Sequence, residues 1–173
     1  MSQLQSDQLQ SDRLRRAAQA TADAGIDALL ITPGADLRYL VGYDAKPLER
    51  LTCLLVPARG EPVLVVPRLE HAAAEASGAG AVVKIVTHEE TEDAFRLAAG
   101  LLRDALEGHP AVVGLADRMW AEQVLRFRRE LESAQQVTAG TVLRPLRLLK
   151  QPDEVDALRR AAQAIDAVHA RMG

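Results

Sequence analysis

Four histidines, one cysteine and dispersed carboxylates are the side chains with chemistry to offer in this sequence, and their spacing gathers few of them. His71, His88, His109 and His169 stand far apart along the chain. The run His88–Glu89–Glu90 invites a metal reading. It precedes a helical pattern, however, where Glu89 or Glu90 suits the positive end of a helix dipole. Asp166 and His169 are three residues apart and share a helix face, yet no third ligand stands near them, so they read as a surface pair. Cys53 lies in the apolar run LTCLLVP and reads as a buried, inert thiol. Alone, it closes no intramolecular disulfide and builds no thiolate zinc site.

The motifs that would organise such residues are missing. There is no G-x-G-x-x-G after an apolar run, no G-x-x-x-x-G-K-[ST], no G-x-S-x-G and no H-E-x-x-H. Residue chemistry alone yields no catalytic constellation. Nor does bulk composition supply a partner: a net charge of -3 exerts no general attraction on nucleic acid or an anionic membrane. The stretch from Arg118 to Lys150 is basic, but no aromatics interleave with its charges in the manner of a nucleic-acid groove. No apolar run approaches the roughly 18 residues needed to span a bilayer, and MSQLQSDQLQSD has no apolar centre for a signal peptide. A reducing, cytoplasmic setting is expected.

The elements that must position these residues follow from periodicity. DRLRRAAQATADAG reads as a helix capped by Ser11 or Asp12 and ended at Gly25, after a frayed lead-in over residues 1–11. DALLIT is a continuous apolar run suited to a strand covered on both faces. ADLRYLVGY gives one or two helical turns, and LTCLLVP with PVLVVP forms a hairpin around Gly60. RLEHAAAEASGAG then predicts a short helix, AVVKIV a strand, and ETEDAFRLAAGLLRDALEG a helix. AVVGLA is another strand, DRMWAEQVLRFRRELES a helix, and the more polar AQQVTAG an edge strand. The alternation predicts an α/β domain over residues 12–144, with a mixed sheet of five or six strands and helices on both faces. Pro145 and its basic neighbours predict a linker over 145–152.

A final helix over 153–173 is well specified. Pro152 fits its first turn, acidic residues sit at its start, and Arg171 lies toward its end. Val155, Leu158, Ala162 and Ile165 form an apolar stripe that His169 and Met172 extend. Such a stripe requires a partner, and the expectation is that the partner lies beyond Gly173.

Three stretches in order resemble one family. LLITPGADLRYLVGYDA, ERLTCLLVPARGEPVLVVPRLE and LRPLRLLKQPDEVDALRRAAQAID are similar to successive segments of the Xaa-Pro peptidase and creatinase group, which includes aminopeptidase P, prolidase and creatinase. The resemblance implies a creatinase-like N-terminal domain followed by a larger "pita-bread" domain. That second domain, in the peptidases, carries two divalent metal ions (manganese, cobalt or zinc) that activate water to hydrolyse the bond before proline. None of those ligand motifs occurs in this segment, so the resemblance places neither catalytic residues nor metal here.

What the resemblance assigns to such a domain is dimerisation and a loop that closes the substrate site of the other subunit. The matching loop is GYDAKPLER, Gly42 to Arg50. Tyr43, Asp44, Lys46 and Arg50 offer donors and charges for a peptide terminus or carboxylate, and the same stretch reads equally well as a solvated connection. The parent is thus expected to be a homodimeric Xaa-Pro peptidase acting on proline-containing peptides. A peptide-binding module without catalysis and a creatinase-type amidinohydrolase domain are the alternatives.

Overall fold

The computed structural model describes residues 3–172. Its centre is β1 (Ala28–Ile31), buried at every residue. Leu29 and Ile31 enter the core on one side of the sheet, Ala28 and Leu30 the core on the other. The unbroken apolar run is therefore the mark of a strand covered twice. β2 (Cys53–Pro57) pairs antiparallel with β1 and, through the expected hairpin, with β3 (Val63–Pro67). β4 (Lys84–His88) runs parallel to β3, β5 (Val112–Leu115) parallel to β1, and β6 (Gln135–Thr138) parallel to β5. The order is β4-β3-β2-β1-β5-β6, a mixed six-stranded sheet with β6 at one edge.

Helices cover both faces. On one lie α1 (Gln3–Asp23), α2 (Ala35–Val41), α3 (His71–Ala76) and α6 (Gly140–Leu148). Leu14, Ala17, Leu37, Leu40, Ala74, Val142 and Leu143 supply that core. On the other lie α4 (Ala94–Ala105) and α5 (Ala121–Glu130), where Phe95, Ala98, Ala99, Leu102 and Phe127 are buried. Phe95 and Phe127 meet edge to face at 4.9 Å, and Arg126 lies over the Phe95 ring. α7 (Pro152–Met172) follows last.

Several local expectations are corrected. The polar start is helical from Gln3 rather than frayed, so Ser11 and Asp12 lie inside α1 and cap nothing; Asp12 pairs with Arg15 instead. Once Leu14 and Ala17 anchor a helix, extending it by further turns is inexpensive, and Gln10 is itself buried. The stretch expected as a linker is helical through Leu148 despite Pro145. Burial of Val142 and Leu143, with the Arg144–Asp117 and Arg147–Asp36 pairs, outweighs the one backbone bond that proline removes. β4 begins at Lys84, after a 3₁₀ turn over Ala79–Ala81.

At α4 the cap is Asp93, whose carboxylate accepts from the Phe95 and Arg96 N–H groups, while Glu89 and Glu90 pair elsewhere. Desolvation pushes the Asp93 carboxyl up, but those two N–H bonds and Arg126 outweigh it and hold it below the usual range. Burial pushes the Cys53 thiol far above its ordinary value, in keeping with an inert core residue.

Candidate functional site

The loop marked out by sequence leaves α2 at Gly42, whose φ of 75° is left-handed and whose N–H donates to the Arg38 carbonyl. This turn aims the next residue inward. Tyr43 is buried, and its hydroxyl reaches 3.5 Å toward Glu70 Oε2, which also accepts from Thr52 Oγ1 at 3.2 Å. Desolvation, followed by the Glu70 charge and hydrogen bond, raises the Tyr43 phenol above its ordinary value. It anchors the loop and presents no donor outward.

Asp44 and Lys46 do face solvent, Asp44 opposite Arg38 at 3.6 Å and Lys46 with no ion pair among the described residues. Arg50 is engaged with Glu90 at 2.6 Å. It borders a different cleft, of ≈ 440 Å³, together with Arg68, Leu69 and His88. There the buried His88 holds the Leu51 carbonyl through Nε2 at 2.9 Å, fixing the loop's far end. The four residues singled out from sequence are thus not one constellation. Asp44 and Lys46 form an exposed tip, and Tyr43 and Arg50 are its two fastenings.

Sequence reasoning missed a second place. Beyond the carboxyl ends of β1 and β5 lies a cleft of ≈ 620 Å³ walled by Arg118, Trp120, Arg144 and Arg147, with Pro33 and the loop's Pro47 at its rim. The available signal was Asp-Arg-Met-Trp directly after the apolar run AVVGLA.

Among the described residues, no group of three or more His, Cys, Asp or Glu side chains is placed to hold a metal ion. Among these residues no helix is long and apolar enough to cross a membrane.

The apolar stripe of α7 faces solvent: Leu158, Ile165, Val168 and Met172 are 57, 58, 55 and 79% exposed. Among the described residues, the side-chain bond that ties the helix to the rest of the chain lies at its first turn. There Glu154 accepts from Arg13 at 2.8 Å, and its other oxygen accepts from the Gln151 N–H.

This architecture is shared with known proteins. Residues 13–149 match the family model of the Creatinase/Prolidase N-terminal domain. The chain belongs to that family. A probable dipeptidase PepE from Mycobacterium tuberculosis is 44% identical over 161 residues, covering 92% of this chain and 42% of the relative. The crystal structure of dipeptidase PepE from Mycobacterium ulcerans superposes with a TM-score of 0.85 at 42% identity, over 95% of this chain and 43% of that one. The Creatinase/Prolidase N-terminal domain of an X-Pro dipeptidase from Streptococcus pyogenes shares the fold, with a TM-score of 0.66 at 17% identity over 78% of this chain and 98% of that one. This chain therefore spans well under half the length of the PepE relatives that it matches.

Proposed function

We propose that this chain acts as the N-terminal domain of a dipeptidase of the prolidase type. It would support the dimer and close the substrate pocket, while a C-terminal domain performs metal-dependent hydrolysis of the bond before proline. The observation that carries the reading is the exposed stripe of α7, a 21-residue helix whose side-chain bond to the rest of the chain, among the described residues, lies at its first turn. Apolar side chains at that spacing are stable when covered, and the additional length of the PepE relatives supplies something to cover them. The exposed tip of the loop, Asp44 and Lys46, would then reach toward a substrate held by the other subunit, with Tyr43 and Arg50 setting its position.

A chimera tests this. Residues 1–173 replace the matching part of the Mycobacterium tuberculosis relative, and the product is assayed with manganese and an Xaa-Pro dipeptide. The expected result is metal-dependent turnover by the chimera and none by the 173-residue chain alone. Lys46→Ala in the chimera should raise KM and leave kcat within about twofold, because it removes binding rather than chemistry. Turnover by the isolated chain, or an inactive chimera that is folded and dimeric, would defeat the reading.

A further inference from the structure

The cleft at the carboxyl ends of β1 and β5 occupies a special position in the topology. After β1 the chain turns to one face of the sheet, where α2 buries Leu37 and Leu40. After β5 it turns to the opposite face, where α5 buries Phe127. These two strands are parallel neighbours, so the connections diverge and leave a crevice between them. In α/β sheets this is where ligands bind, because diverging loops cannot fill the space themselves.

The lining has a definite chemistry. Arg144 is held by Asp117 at 3.1 Å, and Arg147 by Asp36 at 2.8 Å. Arg118 is exposed and has no hydrogen bond or ion pair among the described residues, so the wall carries one more guanidinium than carboxylate. Beside it Trp120, held at the start of α5, is 43% exposed, so part of the indole is packed and part is open to the cleft. Pro33 and Pro47 close the rim. A guanidinium recognises a carboxylate through paired N–H groups, and an indole face attracts the positively polarised C–H edge of a compact ring.

We propose that this cleft binds a carboxylate attached to a proline-type ring, presented either by the free imino acid or by the C-terminus of a peptide. Arg118 receives the carboxylate and Trp120 the ring. The choice of a proline ring rests on the proposed function; the site itself rests on the cleft.

Trp120 is the chain's one tryptophan, so its fluorescence reports this site directly. The 173-residue chain is titrated with L-proline, N-acetyl-L-proline, L-prolinamide and inorganic phosphate. A saturable fluorescence change with L-proline or N-acetylproline is expected, and the tighter of the two identifies the natural source. Prolinamide and phosphate should each bind at least about tenfold more weakly, the first lacking the carboxylate and the second a ring. Arg118→Gln should weaken binding about tenfold or more, whereas Arg59→Gln, at the opposite end of β1, should leave it unchanged. Both arginines are exposed, so neither variant threatens the fold.

Absence of saturation with both acids, equal binding of prolinamide or phosphate, or an Arg118→Gln variant that binds normally would each overturn the proposal. An active chimera with no binding here sinks this site alone. An inactive chimera with binding intact sinks the peptidase reading and leaves the cleft.

Discussion

Substituting Gly42 by alanine tests how the loop is launched. The φ of 75° places any L side chain in the left-handed region, at about 1–2 kcal/mol. The added Cβ also meets the Gln10 side-chain amide, which is buried against this turn. An amide at the end of a side chain shifts more readily than backbone, so this crowding takes the low end of the overpacking range, about 1 kcal/mol. Gly42→Ala should therefore destabilise the chain by about 2–3 kcal/mol, a fall of about 1–1.5 M in the urea midpoint for a slope of about 2 kcal/mol/M. Repeating the substitution in a Gln10→Ala background separates the two causes. Crowding disappears and strain remains, so alanine at position 42 should still destabilise by about 1–2 kcal/mol. A midpoint unmoved by Gly42→Ala, or a penalty abolished entirely in the Gln10→Ala background, would refute the left-handed turn as the loop's origin.

Phe127→Ala should destabilise by about 3–5 kcal/mol in urea melts, since the ring is fully buried and packs edge to face on Phe95. Asp93→Ala removes the cap of α4 and should lose about 1 kcal/mol by the same measure. Because the Asp93 carboxyl is held below its unfolded value of about 3.9, its contribution is present above that pH and is lost as pH falls through the lower folded value. Acid melts of the Asp93→Ala variant should therefore lose part of the wild-type slope below about pH 4. Glu154→Ala should lower stability by no more than about 1 kcal/mol but speed hydrogen exchange at the start of α7, where its ion pair is the fastening.

The elements with strong local signals were legible: β1, β2 and β3 as unbroken apolar runs, α4 as a stripe that became a buried face, and α5 in part, since of the helically spaced Trp120, Val124, Phe127 and Leu131 the last two are buried but Trp120 is 43% exposed. The failures have one physical origin, contacts distant in sequence. Pro145 signals an interruption, but Arg147 pairs with Asp36, 111 residues away, and Tyr39 donates to the Leu146 carbonyl. Nothing local in DALLIT indicates that the Asp27 carboxylate accepts from the Ala111 and Val112 N–H groups and so fixes β5 against β1. At the candidate loop, sequence supplied the residue types but not their directions. Tyr43 turns inward from the Gly42 turn into the core, where its hydroxyl meets Glu70, and Arg50 is spent on Glu90. The arginine-lined cleft was illegible for the same reason, since its walls come from four separate segments that the sheet brings together.

One side chain joins the two features on which the proposed function depends. The Arg13 guanidinium donates to the Tyr39 carbonyl at 3.0 Å, lies 4.4 Å from the centre of the Tyr39 ring, and pairs with Glu154 at 2.8 Å. Tyr39 belongs to α2, the helix that launches the loop, and Glu154 to the first turn of α7. With side-chain exposures of 12 and 24%, the pair is screened less than a surface one, and its direction is fixed by the ring beneath it. Arg13 is therefore shared between the helix that launches the loop and the first turn of α7, so Glu154→Ala should be felt at Tyr39 as well as at α7, and unchanged hydrogen exchange in α2 of that variant would show that the two contacts are independent.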